Sequence, residues 1–209
     1  MEAVTGRPEL NPHPTVVPPG YPAEYERELR LRDGRHVFVR PIIPDDASAL
    51  AVAVHTADRD TLRRRFLGGP PALTPERLDR LTGVDYIDRF ALIAATDGGH
   101  GIGVARYEAA GDGRAEAAIV IDPAWRRAGL ATAMMEILAE AALDRGIDTF
   151  TATYLAENRP VTALVNLAEP ARPGRIRYGI AEVAVHLDRD RIATATHHPG
   201  DEAGRPATG

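Results

Sequence analysis

The sequence predicts a single α/β domain with a mixed, mostly antiparallel central sheet flanked by helices, and three observations predict it. Apolar runs of strand length alternate with turn signals through the middle of the chain. Segments with apolar residues at helical spacing stand before, between and after them, so the elements fall in the order β-α-α-α-β-β-β-α-β-α-β. The 209 residues, 44% hydrophobic and 26% charged, suit one ordinary core, and no internal repeat divides them.

Residues 1–24 hold Pro8, Pro12, Pro14, Pro18, Pro19 and Pro22 with few apolar side chains. They read as a disordered, Pro-rich tail, draped at most, because they bury too little to offset ordering entropy. Leu29 to Leu31 and Val37 to Val39 then alternate with arginines about Asp33-Gly34, a two-residue hairpin signal. Asp45 and Asp46 open a helix reaching about His55, acidic at its positive end, and Asp58 to Phe66 forms a second. Thr74 fits an N-cap and Pro75 the first helical position, so Glu76 to Leu81 is helical. Phe90–Ala95, Ile102–Tyr107 and Ala115–Ile121 are three antiparallel strands joined at Asp97-Gly98-Gly99 and Gly111-Asp112-Gly113. From Gly129 to Arg145, Leu130, Met134, Ile137, Leu138 and Ala141 recur at helical spacing, with Gly146 as the stop. Thr149–Tyr154 is a strand, Pro160 opens a short helix to about Leu167, and Ile176–Leu187 is a last strand or a kinked pair. The domain therefore covers 25–191, with a second disordered tail at 192–209.

What is missing narrows the chemistry. The chain has no cysteine, no lysine and one serine, Ser48, which lacks flanking glycines. This excludes thiol nucleophiles, a Walker-type phosphate loop and a pyridoxal Schiff base, and argues against a nucleophile-elbow hydrolase. The net charge of -5 disfavours nucleic acid as a partner. No apolar stretch is long enough to span a bilayer and Met1-Glu2-Ala3-Val4 does not begin a signal peptide, so a cytoplasmic location without membrane contact is expected. His13, His36, His55, His100, His186, His197 and His198 show no ligand spacing, and no metal is expected. Arg63-Arg64-Arg65 could grip an acidic partner or form a solvated helix face.

The informative segment runs from Ala115 to Met135. Arg126-Arg127-Ala128-Gly129-Leu130-Ala131 places small residues where a strand–loop–helix unit enters its helix. There, backbone N–H groups can approach an anion, and the helix N-terminus adds partial positive charge. A diphosphate would suit the loop, Arg126 or Arg127 adding charge-assisted bonds; the plainer alternative is a permissive turn with solvated arginines.

Arg126-x-x-Gly129-x-Ala131 resembles the acetyl-CoA pyrophosphate loop of the Gcn5-related N-acetyltransferases (GNAT). The segments Val84-Asp85-Tyr86-x-Asp88-Arg89-Phe90-Ala91-Leu92, Gly103-Val104-Ala105-Arg106-Tyr107, Ala115-Glu116 and Leu155-Ala156-Glu157-Asn158-Arg159 resemble the catalytic domain of actinobacterial protein lysine acetyltransferases, without the cyclic-nucleotide-binding domain often fused to it. The resemblance implies a single GNAT-like domain, acetyl-CoA as cosubstrate, and direct attack of an amine on the thioester. It places Glu116 at the position of the catalytic glutamate, the base an alkylammonium requires. Burial beside Ala115, Ala117 and Ile119 would raise its pKa; the alternative is a solvated strand-edge carboxylate. Ala118, Ile119 and Val120 would bind the pantetheine arm, and Arg126, Arg127, Ala128, Gly129, Leu130 and Ala131 the diphosphate. Asn158 would contact the cofactor arm, cap the next helix, or both. Asp85, Tyr86 and Asp88 would receive a cationic acceptor, or simply tie off their loop.

The sequence also departs from the family. The tyrosine that many members use as general acid falls at Val165, and the usual Gly-Phe falls at Glu169-Pro170. No proton donor is assigned, with Tyr154 or Tyr178 as substitutes; a thiolate of pKa about 8.5 can leave unaided. The expected function is acetyl transfer to a protein lysine. The alternatives are a small amine, such as an aminoglycoside or polyamine, and a non-catalytic acyl-CoA-binding module. Oligomeric state is open.

Overall fold

The computed structural model describes residues 9–67, 72–168 and 175–190. The expected tail at 192–209 and the Glu169-Pro170 position lie outside the described residues. Eight strands form one sheet: β1 (Arg27–Arg30), β2 (His36–Pro41), β3 (Arg89–Ala95), β4 (Gly101–Gly111), β5 (Arg114–Ile121), β6 (Thr149–Leu155), β7 (Arg175–Arg177) and β8 (Ile180–His186). Their order is β1-β2-β3-β4-β5-β6-β8-β7, and every neighbouring pair is antiparallel except β5 with β6. The helices are α1 (Ala47–Thr56), α2 (Arg59–Phe66), α3 (Pro75–Thr82), α4 (Leu130–Leu143) and α5 (Arg159–Ala168). This is the mixed, mostly antiparallel α/β architecture that the strand and helix patterns predict.

Strand alternation divides the chemistry between the two faces. Phe90 stacks on Tyr107 at 5.7 Å, and Tyr107 meets Phe150 at 6.0 Å. Gly103, on the same face, lies so close to Met134 and Ile121 that a Cβ there would come within 2.7 Å of Ile121. This face buries Leu130, Met134, Leu138 and Ala141 of α4. The opposite face carries Arg106 and Glu108, which meet α3 through the Leu81 carbonyl at 3.1 Å and through Arg80.

Turn chemistry fixes the hairpins. Asp112-Gly113 and Tyr178-Gly179 have positive φ at both residues, as two-residue hairpin turns require. At the first hairpin only Gly34 has positive φ, and the Leu31 N–H donates to the Arg35 carbonyl at 2.8 Å. The turn is therefore three residues, Arg32, Asp33 and Gly34, rather than the two-residue Asp33-Gly34 turn expected.

Of the tail read from sequence at 1–24 as disordered or at most draped, residues 9–24 are described, and they touch the domain at a few points while most of their side chains stay exposed. Leu10 is 8% exposed and its N–H donates to the Gly99 carbonyl at 2.8 Å. Gly99 has φ +74, and a Cβ there would come within 2.5 Å of the Leu10 carbonyl oxygen. The Asn11 carbonyl accepts from Arg40 Nε and Nη2 at 3.0 and 2.8 Å. Leu10, the Asn11 carbonyl, His13 against Phe38 at 4.3 Å and Tyr21 edge-on to Tyr86 at 5.9 Å anchor a segment whose composition alone has little to bury.

Candidate active site

β5 and β6 pair only at Arg114–Thr149, Ala115–Phe150 and Glu116–Thr151. Beyond that register they part, although β5 continues to Ile121 and β6 to Leu155. On their outer sides both stay fully paired, β5 with β4 and β6 with β8. The parting leaves a wedge edged by backbone amides of 117–121 on one side and 152–155 on the other, and buried backbone groups need partners. An extended ligand with amide groups can supply them. Ala118, Ile119 and Val120 stand on this edge; by alternation Ile119 faces α4, and Ala118 and Val120 face the other way.

The Arg126–Ala131 loop stands at the far end of β5. Arg127 has φ +64 and Gly129 φ +92, and Ala128 and Leu130 are buried. Ala133 N–H donates to the Gly129 carbonyl, while the N–H groups of the first helical turn have no intrahelical acceptor. This cradle suits an anion. Arg127 is exposed, whereas Arg126 is occupied: its Nε donates to the Ile121 carbonyl at 3.0 Å and its Nη2 to Thr61 Oγ1 at 2.8 Å.

Sequence reasoning missed a further cation here. The three-residue turn carries Arg32 onto the loop, its N–H donating to the Ala128 carbonyl at 3.1 Å. Its Nε lies 3.5 Å from where a Cβ on Gly129 would stand. The signal was the run Arg30-Leu31-Arg32, but only the tertiary approach of the hairpin gives it meaning. Arg35 of the same hairpin stacks on Trp125 at 3.9 Å and donates to the Ala124 carbonyl.

Helix α2 crosses this region. Asp58 caps it, accepting from Thr61 N–H at 2.9 Å and Thr61 Oγ1 at 2.6 Å. The Thr61 hydroxyl and amide hold the Asp58 carboxyl below its ordinary range. The three successive arginines do separate work. Arg63 pairs with Glu157 at 2.7 Å, Arg64 donates to Asn158 Oδ1 at 3.4 Å, and Arg65 lines a pocket with Glu116. Asn158 is buried at the start of α5, where its carbonyl accepts from Thr162 N–H at 3.0 Å, the first bond of that helix.

Glu116 stands where β5 and β6 part, paired across the strands with Glu108 and Thr151. It is exposed, not buried as expected: alternation turns Ala115 and Ala117 into the core and Glu116 to the opposite face, so apolar sequence neighbours are not its surroundings. It opens into a pocket of about 150 Å³ with Arg65, Arg80, Arg89, Arg106 and Glu108.

The expected acceptor residues separate. Tyr86, expected to receive the acceptor, instead turns inward: it has φ +60, is 3% exposed, and its hydroxyl donates to the Ile42 carbonyl at 2.8 Å. It therefore packs the core. Asp85 closes its loop by accepting from the Ile87 and Arg89 N–H groups at 2.9 and 2.8 Å and pairing with Arg89 Nε at 3.2 Å. Partial burial opposes the shift, but these bonds prevail and hold the Asp85 carboxyl below its ordinary range. Asp88 is exposed. Tyr178, one of the two tyrosines expected as a substitute donor for Val165, stands wholly in solvent at the β7–β8 turn. Among the described residues, no cluster of three His, Cys, Asp or Glu could hold a metal ion, and no helix is long and apolar enough to cross a membrane.

A sheet that parts beside a small-residue loop at a helix N-terminus defines an acetyltransferase of the GNAT class. The chain belongs to this family: residues 36–166 match the acetyltransferase (GNAT) domain model. An acetyltransferase of Pseudomonas aeruginosa is 30% identical over 138 residues, 64% of this chain and 74% of that protein. The crystal structure of the GNAT domain of S. lividans PAT is 31% identical with a TM-score of 0.73, covering 80% of this chain and 99% of that one. The cAMP-binding acyltransferase from Mycobacterium smegmatis is 22% identical with a TM-score of 0.57, a likeness of fold alone; the match covers 85% of this chain and 52% of that one. The chain thus spans about half the length of that acyltransferase.

Proposed function

We propose that the protein moves an acetyl group from acetyl-CoA to a primary amine by direct attack, with Glu116 accepting the amine proton. The observation that carries this reading is the position of Glu116 at the parting of β5 and β6, with the Gly129 loop at the other end of the same strand. The diphosphate would rest on the loop and the first turn of α4, with Arg127 and Arg32 contributing charge. The amides edging the wedge would hold the pantetheine arm. A β5 N–H near Ala118 would then meet the thioester oxygen as negative charge develops on it. The amine nitrogen bonds to the carbonyl carbon, the C–S bond breaks, the thiolate leaves, and the amine proton passes to Glu116 directly or through water. Use of acetyl-CoA suits a cytoplasmic setting.

Protein lysine is the leading acceptor on the resemblance to lysine acetyltransferases, with small amines second. The arginines beside Glu116 oppose a polycationic amine. The test is thiol release from acetyl-CoA in wild type and Glu116→Gln. We expect about a 10²–10⁴-fold loss of rate, with acetyl-CoA affinity by calorimetry unchanged. A variant as active as wild type would remove Glu116 from the reaction.

A further inference from the structure

The charges around Glu116 do not balance. Four arginines line the pocket against two glutamates. Arg80 is taken by Glu108, and Arg89 by Asp85. Arg65 and Arg106 remain, and neither forms an ion pair with a carboxylate among the described residues. Arg106 donates from Nη2 to the Leu81 carbonyl, a neutral partner. Both are half-buried. Burial, reinforced by repulsion from Arg65, lowers the Arg106 guanidinium to about 10, and burial lowers Arg65 against the attraction of Glu116. Two desolvated cations facing one carboxylate are an arrangement that a bound anion completes.

The cofactor's phosphates do not supply that anion. Their loop begins after Ile121, five residues along β5 from Glu116, a distance of about 16 Å. The pocket instead lies on the face bearing Arg106, under α3, beside the group that would take the amine's proton. Its volume of about 150 Å³ admits a carboxylate and a short chain.

We infer that the acceptor carries a carboxylate or comparable oxyanion close to its amine, held by Arg65 and Arg106 while the amine meets Glu116. The inference rests on the transferase reading above. Two sources can provide this chemistry: a free amino acid, or a lysine flanked by glutamates in a peptide. A polyamine or an arginine-flanked lysine meets repulsion instead.

The test compares kcat/KM for free amino acids with their amides, and for lysine peptides flanked by glutamate with those flanked by arginine. The acidic member of at least one pair should be preferred tenfold or more, and the preferred pair identifies the source. Arg65→Gln and Arg106→Gln should each remove that preference by raising KM for the acid. The KM for acetyl-CoA should stay the same, and Arg106→Lys should restore part of the preference. Arg65 lies on a helix and is half-buried, so its variant decides the matter if Arg106→Gln does not fold. Equal rates for acid and amide, or arginine variants that slow both alike, would overturn the inference. If no acceptor is turned over, calorimetry with glutarate separates the two readings. Binding weakened by Arg65→Gln upholds the anion site and counts against the transferase, while no binding to wild type overturns the anion site.

Discussion

Arg40 and Asp46 are 1% and 3% exposed, yet both are satisfied. Arg40 donates to both Asp46 carboxylate oxygens at 2.9 and 2.7 Å, to the Pro41 carbonyl and twice to Asn11, while Asp46 also accepts from the Ile43 N–H at 2.8 Å. Removing one partner strands a buried charge, so Asp46→Ala should cost about 3–5 kcal/mol, measured as a lower urea midpoint. In the sequence Asp46 reads as an ordinary acidic residue at a helix start, because burial is set by elements far along the chain. Tyr86 misleads for the same reason: its neighbours Asp85 and Asp88 look like a polar loop, and only a left-handed backbone turns the ring into the core. Glu116 was legible through its motif, but its arginine neighbours were not, since Arg65, Arg80, Arg89 and Arg106 come from four separate elements.

At the scale of elements, local sequence signals specify most helices and strands. Thr74 accepts from the Arg77 N–H as an N-cap, and Pro75 is the first residue of α3, as spacing predicts. The pair β7 and β8 resolves the ambiguity left at Ile176–Leu187, with Tyr178-Gly179 making the turn. The first hairpin departs from expectation because Asp-Gly serves both a two-residue turn and the end of a three-residue one. Gly129 tests how much the loop depends on its backbone. Its φ of +92 is costly for any other residue, so Gly129→Ala should strain the loop by about 1–3 kcal/mol. We expect weaker acetyl-CoA binding in calorimetry, with the far-ultraviolet circular dichroism of the helices retained.

At the scale of the whole molecule, one eight-stranded sheet is held across its middle by only three residue pairs of β5 and β6. Strand positions follow from hydrophobic patterns, but where two strands stop pairing depends on register across the sheet, which no local pattern records. If the wedge holds the pantetheine arm, the amides of 117–121 and 152–155 that face it should exchange hydrogen readily in the free protein. They should slow when acetyl-CoA is added, while β3 and β4 change little; hydrogen-exchange mass spectrometry would register the contrast. Protection confined to the Gly129 loop would instead place only the diphosphate.

Mechanically, the seam between β5 and β6 is a rivet line of three rungs joining two plates, one of five strands and one of three. Such a joint is stiff along the strands and weak across them. A cosubstrate seated in the gap would then act as a splint, and each turnover, by releasing it, would loosen the frame that had just held the reactants in line.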